Sequence, residues 1–161
     1  MNTENKSFTS KNIKDLWQTP IKLFNKLNNE FNFTHDVASS KENKLCNNFI
    51  TLENDALSCE WGLSNWCNPP YSNIMPWVNK AIIENKKGKV VVMLVPSDTS
   101  VKWFKKAFDT CDDIRFISGR ISFINSTTQK PVSGNNKGSV LLIWCNNKPI
   151  KISLLCRSKF I

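Results

Sequence analysis

The sequence predicts an α/β fold: an open, mostly parallel sheet with an antiparallel edge and helices on both faces. Runs of strand length alternate with segments of helical spacing. One run, KVVVMLVP at 89–96, is apolar throughout, as in a parallel strand buried on both faces. The last apolar runs follow one another too closely for helices to intervene, which suggests the antiparallel edge.

Residues 1–14 are polar and aperiodic and read as a flexible arm, with 15–161 as a single domain. That domain opens at Trp17. Thr19 before Pro20 predicts an N-cap followed by the favoured first helical proline, and Ile21, Leu23, Phe24, Leu27 and Phe31 carry an amphipathic helix to about 31. Residues 33–38 predict a strand that ends on Asp36 and the small Ala38, Ser39 and Ser40, with a helix following from about Ser40. A second strand is predicted at 49–51 with Asp55 just beyond it. A third, at 64–67, runs directly into Asn68-Pro69-Pro70-Tyr71. Helical spacing returns over 75–85 through Trp77, Val78, Ala81 and Ile82, and Gly88 ends it. After the strand at 89–96 comes a helix from Asp98 to about Thr110. Apolar runs at 114–117 and 121–124 then flank the turn Ser118-Gly119-Arg120, and the runs at 139–145 and 150–155 close the chain.

Composition narrows the function class. With 40% hydrophobic and 22% charged residues and no apolar run of membrane-span length, the chain reads as an ordinary globular domain with the cytosol as default compartment. Six cysteines (Cys46, Cys59, Cys67, Cys111, Cys145, Cys156) form no CxxC pair and His35 is the only histidine, so neither a metal site nor a hydrolase triad is expected. Twenty-two Lys and Arg against 13 Asp and Glu give a formal +9, which favours a polyanionic partner. Nineteen of those cations are lysines in an asparagine-rich chain, a composition that an AT-rich genome also produces.

Asn68-Pro69-Pro70-Tyr71 carries the chemistry. Two prolines remove two amide donors, so the loop's carbonyls are not consumed by a tight turn and can face a ligand. The Asn68 side-chain oxygen and the Pro69 carbonyl would make a pair of acceptors for the two hydrogens of an amino group, and Tyr71 would offer a flat face beside them. A planar ring bearing an exocyclic amine fits that arrangement. The tetrapeptide also follows a strand, at the carboxyl end where open α/β sheets bind ligands. A rigid proline turn covering the core is the plain structural alternative.

At these residues the chain resembles the phage-type DNA adenine-N6 methyltransferases, the phage Dam family. The likeness runs through Trp17-Gln18-Thr19-Pro20, residues 33–38, the 51–57 segment with Asp55, Trp66-Cys67 with the tetrapeptide, the strand at 91–96, Trp103-Phe104 and Gly119-Arg120-Ile121-Ser122-Phe123. It implies a Rossmann-like, S-adenosylmethionine-dependent methyltransferase fold and methyl transfer to the N6 amine of adenine in double-stranded DNA. It also implies that Trp17, Thr19, Pro20, Asp36 and Ala38 help hold the cofactor, that Asn68, Pro69, Pro70 and Tyr71 hold the base, and that Arg120 and Phe123 lie near the base or its phosphate. One departure stands out: many methyltransferases have a glycine-rich turn after the first strand, where this chain has Val37, Ala38, Ser39 and Ser40.

Beside that resemblance, Asp36 and Asp55 each follow a predicted strand, where a carboxylate could meet a cofactor amine or ribose or simply cap a turn. Arg120 and Phe123 read equally well as a salt bridge and a core ring. The polar loop at 125–138, with Lys130 and Lys137, is either a DNA contact or a mobile connection. A protein-glutamine or RNA methyltransferase, or a non-catalytic DNA-binding module, would suit the same residues. The DNA site, the oligomeric state and any restriction partner are open.

Overall fold

The computed structural model describes residues 17–132, 135–146 and 150–160, so the polar arm at 1–14 lies outside it. Nine strands are described: β1 (Trp17–Gln18), β2 (His35–Asp36), β3 (Asn48–Phe49), β4 (Ser64–Cys67), β5 (Val90–Pro96), β6 (Asp113–Ser118), β7 (Ile124–Asn125), β8 (Ser139–Trp144) and β9 (Lys151–Cys156). Three α-helices accompany them: α1 (Ile21–Phe31), α2 (Met75–Lys86) and α3 (Lys102–Phe108).

Seven strands form one sheet in the order β3-β2-β4-β5-β8-β6-β9, while β1 and β7 pair in a separate ribbon. Strands β3, β2, β4 and β5 run parallel, as do β6 and β9; only β8 is antiparallel to its neighbours. The fold is thus α/β with a mostly parallel mixed sheet. The antiparallel strand is not at the edge, however. All six residues of β8 are buried, so it belongs between β5 and β6, where both faces are covered, and the edge falls to exposed β9.

Period-two alternation sorts the core into two layers. Cys67, Val91, Met93, Val95, Val140 and Leu142 face α2 and α3, meeting Val78, Ala81, Phe104 and Ala107. Trp66, Val92, Leu94, Leu141 and Ile143 face the other way, onto Leu23, Phe24 and Leu27 of α1. Helices therefore cover both faces.

Four local expectations are corrected. Pro20 is the N-cap of α1 rather than its first residue; its carbonyl accepts the Leu23 and Phe24 amides, and Thr19 supplies no cap bond. No helix follows Ser40. The Asn43 side chain caps the Ser40 amide at 2.6 Å and Lys44 closes one turn on the Ser40 carbonyl at 3.1 Å, but Asp36 takes the Leu45 amide at 3.0 Å, the donor a further helical turn would need. Asp98 likewise accepts the amide of Ser100, at 3.1 Å, which delays α3 to Lys102. The run at 121–124 does not return along β6; its end, β7, pairs with β1 instead.

Candidate active site

From β2 the chain crosses to β3 on one side and then to β4 on the other, so the carboxyl ends of β2 and β4 border the crevice where strand order reverses. Asp36 is the last residue of β2 and Asn68 the first after β4, and both line this crevice with Trp17, Gln18, Thr19 and Ala38. The space is narrow, about 20 Å³, room for a water-sized group.

Asp36 is 3% exposed, and its carboxylate accepts the amides of Ala38 at 3.3 Å and Leu45 at 3.0 Å. Burial nevertheless pushes its pKa up to about 6, and no described cation lines the crevice to offset it. On the opposite wall three successive residues hold polar atoms that are buried without a partner among the described residues: Trp17 Nε1, Gln18 Nε2 and Thr19 Oγ1. Unpaired buried donors are costly, and three in a row beside a crevice suit a ligand rich in hydrogen-bonding groups.

Asn68 donates its Nδ2–H to the backbone carbonyl of Trp17 at 2.9 Å, which turns Oδ1 the other way. The Trp17 ring stacks on Phe123 with centroids 5.4 Å apart, and Phe123 meets Tyr71 edge to face at 6.1 Å. These three rings form one wall of a second cavity of about 260 Å³, closed by Pro96 and by residues 135–139. Trp17 lines both spaces. The Tyr71 hydroxyl reaches the Leu94 carbonyl at 3.4 Å, a long bond, and burial raises the phenol pKa well above its usual range.

The structure thus brings together Trp17, Thr19, Asp36, Ala38, Asn68, Tyr71 and Phe123. Phe123 is both core ring and cavity wall, being 1% exposed. Asp55 lines neither space; it is exposed at positive φ and accepts the Leu57 amide at 3.2 Å, capping a turn. Lys137 stands at the cavity, with its ammonium 2.5 Å from Asp98, and that partner holds the Asp98 carboxyl down at about 2. Arg120 is exposed, has no hydrogen bond or ion pair to another described residue, and lies against Gly138. Lys130 is exposed beside the β7 turn and lines neither cavity. Gln18, Pro96, Asn135 and Asn136 were not foreseen. Each lies inside a segment the sequence singles out: Gln18 in Trp17–Pro20, Pro96 at the end of the strand at 91–96, and Asn135 and Asn136 in the polar loop at 125–138. Among the described residues no three His, Cys, Asp or Glu gather as metal ligands, and no helix is long and apolar enough to cross a membrane.

The model of the family described as DNA N-6-adenine-methyltransferase (Dam) matches residues 6–160. A DNA N-6-adenine-methyltransferase of Escherichia phage T1 is 36% identical over 149 residues, covering 81% of this chain and 63% of the relative, so the chain spans less than two thirds of that protein's length. A second, from Haemophilus phage HP1, is 40% identical over 144 residues, covering 86% of this chain and 83% of its own length. No solved structure matches. The match over nearly all of the sequence means that the chain belongs to the DNA N-6-adenine-methyltransferase (Dam) family.

Proposed function

We propose that the protein methylates the N6 amine of adenine in double-stranded DNA, with S-adenosylmethionine as donor, on a Rossmann-like methyltransferase fold. The observation that carries this reading is the place of Asn68, at the crevice lined by Asp36 and one loop from the aromatic cavity of Tyr71 and Phe123. A donor bound on one side and a ring held on the other would meet there. Both named relatives are phage proteins, and the reading places the enzyme in the cytoplasm of a bacterium or infected host.

Bound S-adenosylmethionine supplies a methyl group on a positively charged sulfur. The unpaired Trp17, Gln18 and Thr19 atoms and the Asp36 carboxylate are a donor and acceptor set that fits its amino acid and ribose groups. Admitting it requires the crevice to widen, and the turn at 39–45 is the part held by local bonds, one of them to Asp36 itself. Ala38 lines the crevice, while Pro20 lines neither space and acts only by starting the helix behind Thr19.

Adenine's amine is a weak nucleophile because its lone pair is delocalised into the ring. Asn68 Oδ1 and the Pro69 carbonyl accept its two hydrogens, which localises the lone pair on nitrogen and stabilises the positive charge that develops there. Pro70 keeps the loop rigid. The base leaves the duplex to reach the site, and Tyr71, with Phe123, replaces part of its lost stacking. Arg120, Lys130 and Lys137 lie outside the aromatic wall, toward the phosphates.

Incubation with radiolabelled donor and DNA, RNA or protein tests this, followed by sequencing sensitive to methyladenine. Label in adenine of duplex DNA is expected. Label confined to RNA or protein would replace the substrate, and none at all would leave a binding module.

A further inference from the structure

We infer that the backbone carbonyl of Trp17 is a positioning group for Asn68: by taking Nδ2–H at 2.9 Å it fixes the amide so that only Oδ1 can meet the reacting amine. The inference rests on the reaction proposed above. A primary amide has an acceptor at one end and a donor at the other, and half a turn about its last bond exchanges them. With the donor end toward adenine's amine, donor would meet donor. A backbone carbonyl has no hydrogen to give, so only the nitrogen of Asn68 can face it, and the choice is made before substrate arrives.

Trp17 is itself held at both backbone and ring. Trp17 is 51 residues from Asn68 in sequence and is paired in register with Asn125 of β7. Its ring is stacked on Phe123, which in turn packs on Tyr71 of the Asn68 loop. The β1–β7 ribbon therefore spans the sheet's carboxyl edge and returns one oxygen to the residue after β4. Transfer geometry tolerates little misplacement, so a fixed amide is worth having.

The consequence is a requirement for an amide at position 68 in this chain. An ionised carboxylate there would set two acceptors 2.9 Å apart. A protonated one would restore the pattern, its O–H donating to Trp17 and its C=O facing the amine. Among the described residues, the titratable groups around position 68 are Asp36 across the crevice, the Cys67 thiol and the Tyr71 phenol, and no described Lys, Arg or His lines the crevice. Asp36 titrates in both proteins, and in the variant its charge raises the pKa of the facing carboxyl at 68, which moves the pH at which the ratio climbs but not the direction of the climb.

The test is Asn68→Asp against wild type, reading kcat with duplex DNA and donor saturating from pH 5.5 to 8.5. At the alkaline end the variant should be about 10² slower, the size of one lost oriented hydrogen-bonding group. The ratio of variant to wild type should then climb about tenfold per pH unit toward acid, as a single required proton demands, with KM for DNA little changed. A ratio that fails to rise toward acid, whether high or low throughout, overturns the proposal. Hydrogen exchange of the Asn68 side-chain amide in ¹⁵N-labelled wild type gives a readout independent of catalysis. One Nδ2 proton should exchange at least tenfold more slowly than exposed asparagine amides, and exchange at the exposed rate would also overturn it. Should the wild type fail to methylate DNA, the proposed reaction falls, while the amide measurement still decides the tether.

Discussion

Asp36 accepts the amide hydrogen of Leu45 across a nine-residue turn, at 3.0 Å, yet no cation among the described residues lines its crevice. Burial dominates, lifting its pKa from 3.8 to about 6. An acid raised on folding favours the folded state while protonated, so its contribution is complete below pH 3.8 and is lost as pH rises through 6. Between pH 5 and 7.5 the loss is on the order of 1 kcal/mol. Asp36→Asn should remove that slope, so urea unfolding at the two pH values should show wild type losing ground to the variant. Parallel behaviour of the two proteins would mean that the carboxyl is not held in this way. The same variant should bind S-adenosylmethionine poorly, since it removes the carboxylate that would meet the ligand's ammonium.

Truncating Asn68 removes both its tether and its acceptor. Asn68→Ala is expected to lower single-turnover methyl transfer by about 10² to 10⁴, the range for an oriented group acting on developing charge. Donor affinity by calorimetry should change by a few-fold only. An undiminished rate would take Asn68 out of the reaction.

How much of this was legible depended on whether the determinants were local. The strand at 64–67, its tetrapeptide and the helix after it were readable because prolines, small residues and helical spacing act over a few positions. The interior place of β8 was legible in principle, since SVLLIW is apolar on both of its alternating faces, but closeness to its neighbours suggested an edge. Thr19 and Ser40 both promised helix chemistry: tertiary packing gave Thr19 a buried wall instead of a cap, while at Ser40 the turn that Asn43 closes locally stops after one turn because Asp36, nine residues back, takes the Leu45 amide. The pairing of Lys137 with Asp98, 39 residues apart, and of β1 with β7 exists only once the chain is folded.

Tyr71 separates face from hydroxyl. Its 3.4 Å bond to the Leu94 carbonyl is long, so Tyr71→Phe should keep transfer within a few-fold. Tyr71→Ala removes the stacking surface, and base stacking on an aromatic ring contributes about 1–3 kcal/mol. KM for DNA should therefore rise roughly 10- to 100-fold. Equal losses in both variants would point to the hydroxyl instead.

At the opposite end of the sheet, Glu84 of α2 is fully buried and receives Lys80 and Lys89, each at 2.8 Å, with Lys87 at 3.1 Å. Burial opposes its charge, but hydrogen bonds from the three ammonium groups prevail and hold its pKa down at about 2. An acid lowered on folding stabilises above its ordinary value, and the contribution disappears as pH falls from 4.5 through 2. Glu84→Gln leaves Lys80 and Lys89 buried without their main counter-charge, at a cost of about 3 kcal/mol in urea unfolding at neutral pH. The effect should shrink in acid, and a neutral substitution would show that the lysines find water instead.

Arg120 and Lys137 flank Gly138 at the aromatic cavity but differ in what holds them. Arg120 has no ionic partner among the described residues, whereas Lys137 is already neutralised by Asp98 at 2.5 Å. A free cation that meets a phosphate releases a counterion and adds close to 0.9 to the slope of log affinity against log salt concentration. A paired cation must first surrender its carboxylate and adds less. Arg120→Ala should accordingly flatten the salt dependence of DNA binding by about one, and Lys137→Ala by clearly less. Asp98→Asn, by freeing Lys137, should steepen it and tighten binding to unrelated DNA. Titrations of fluorescent duplex at several salt concentrations would read all three, and an unchanged slope for Arg120→Ala would remove that residue from the DNA-binding surface.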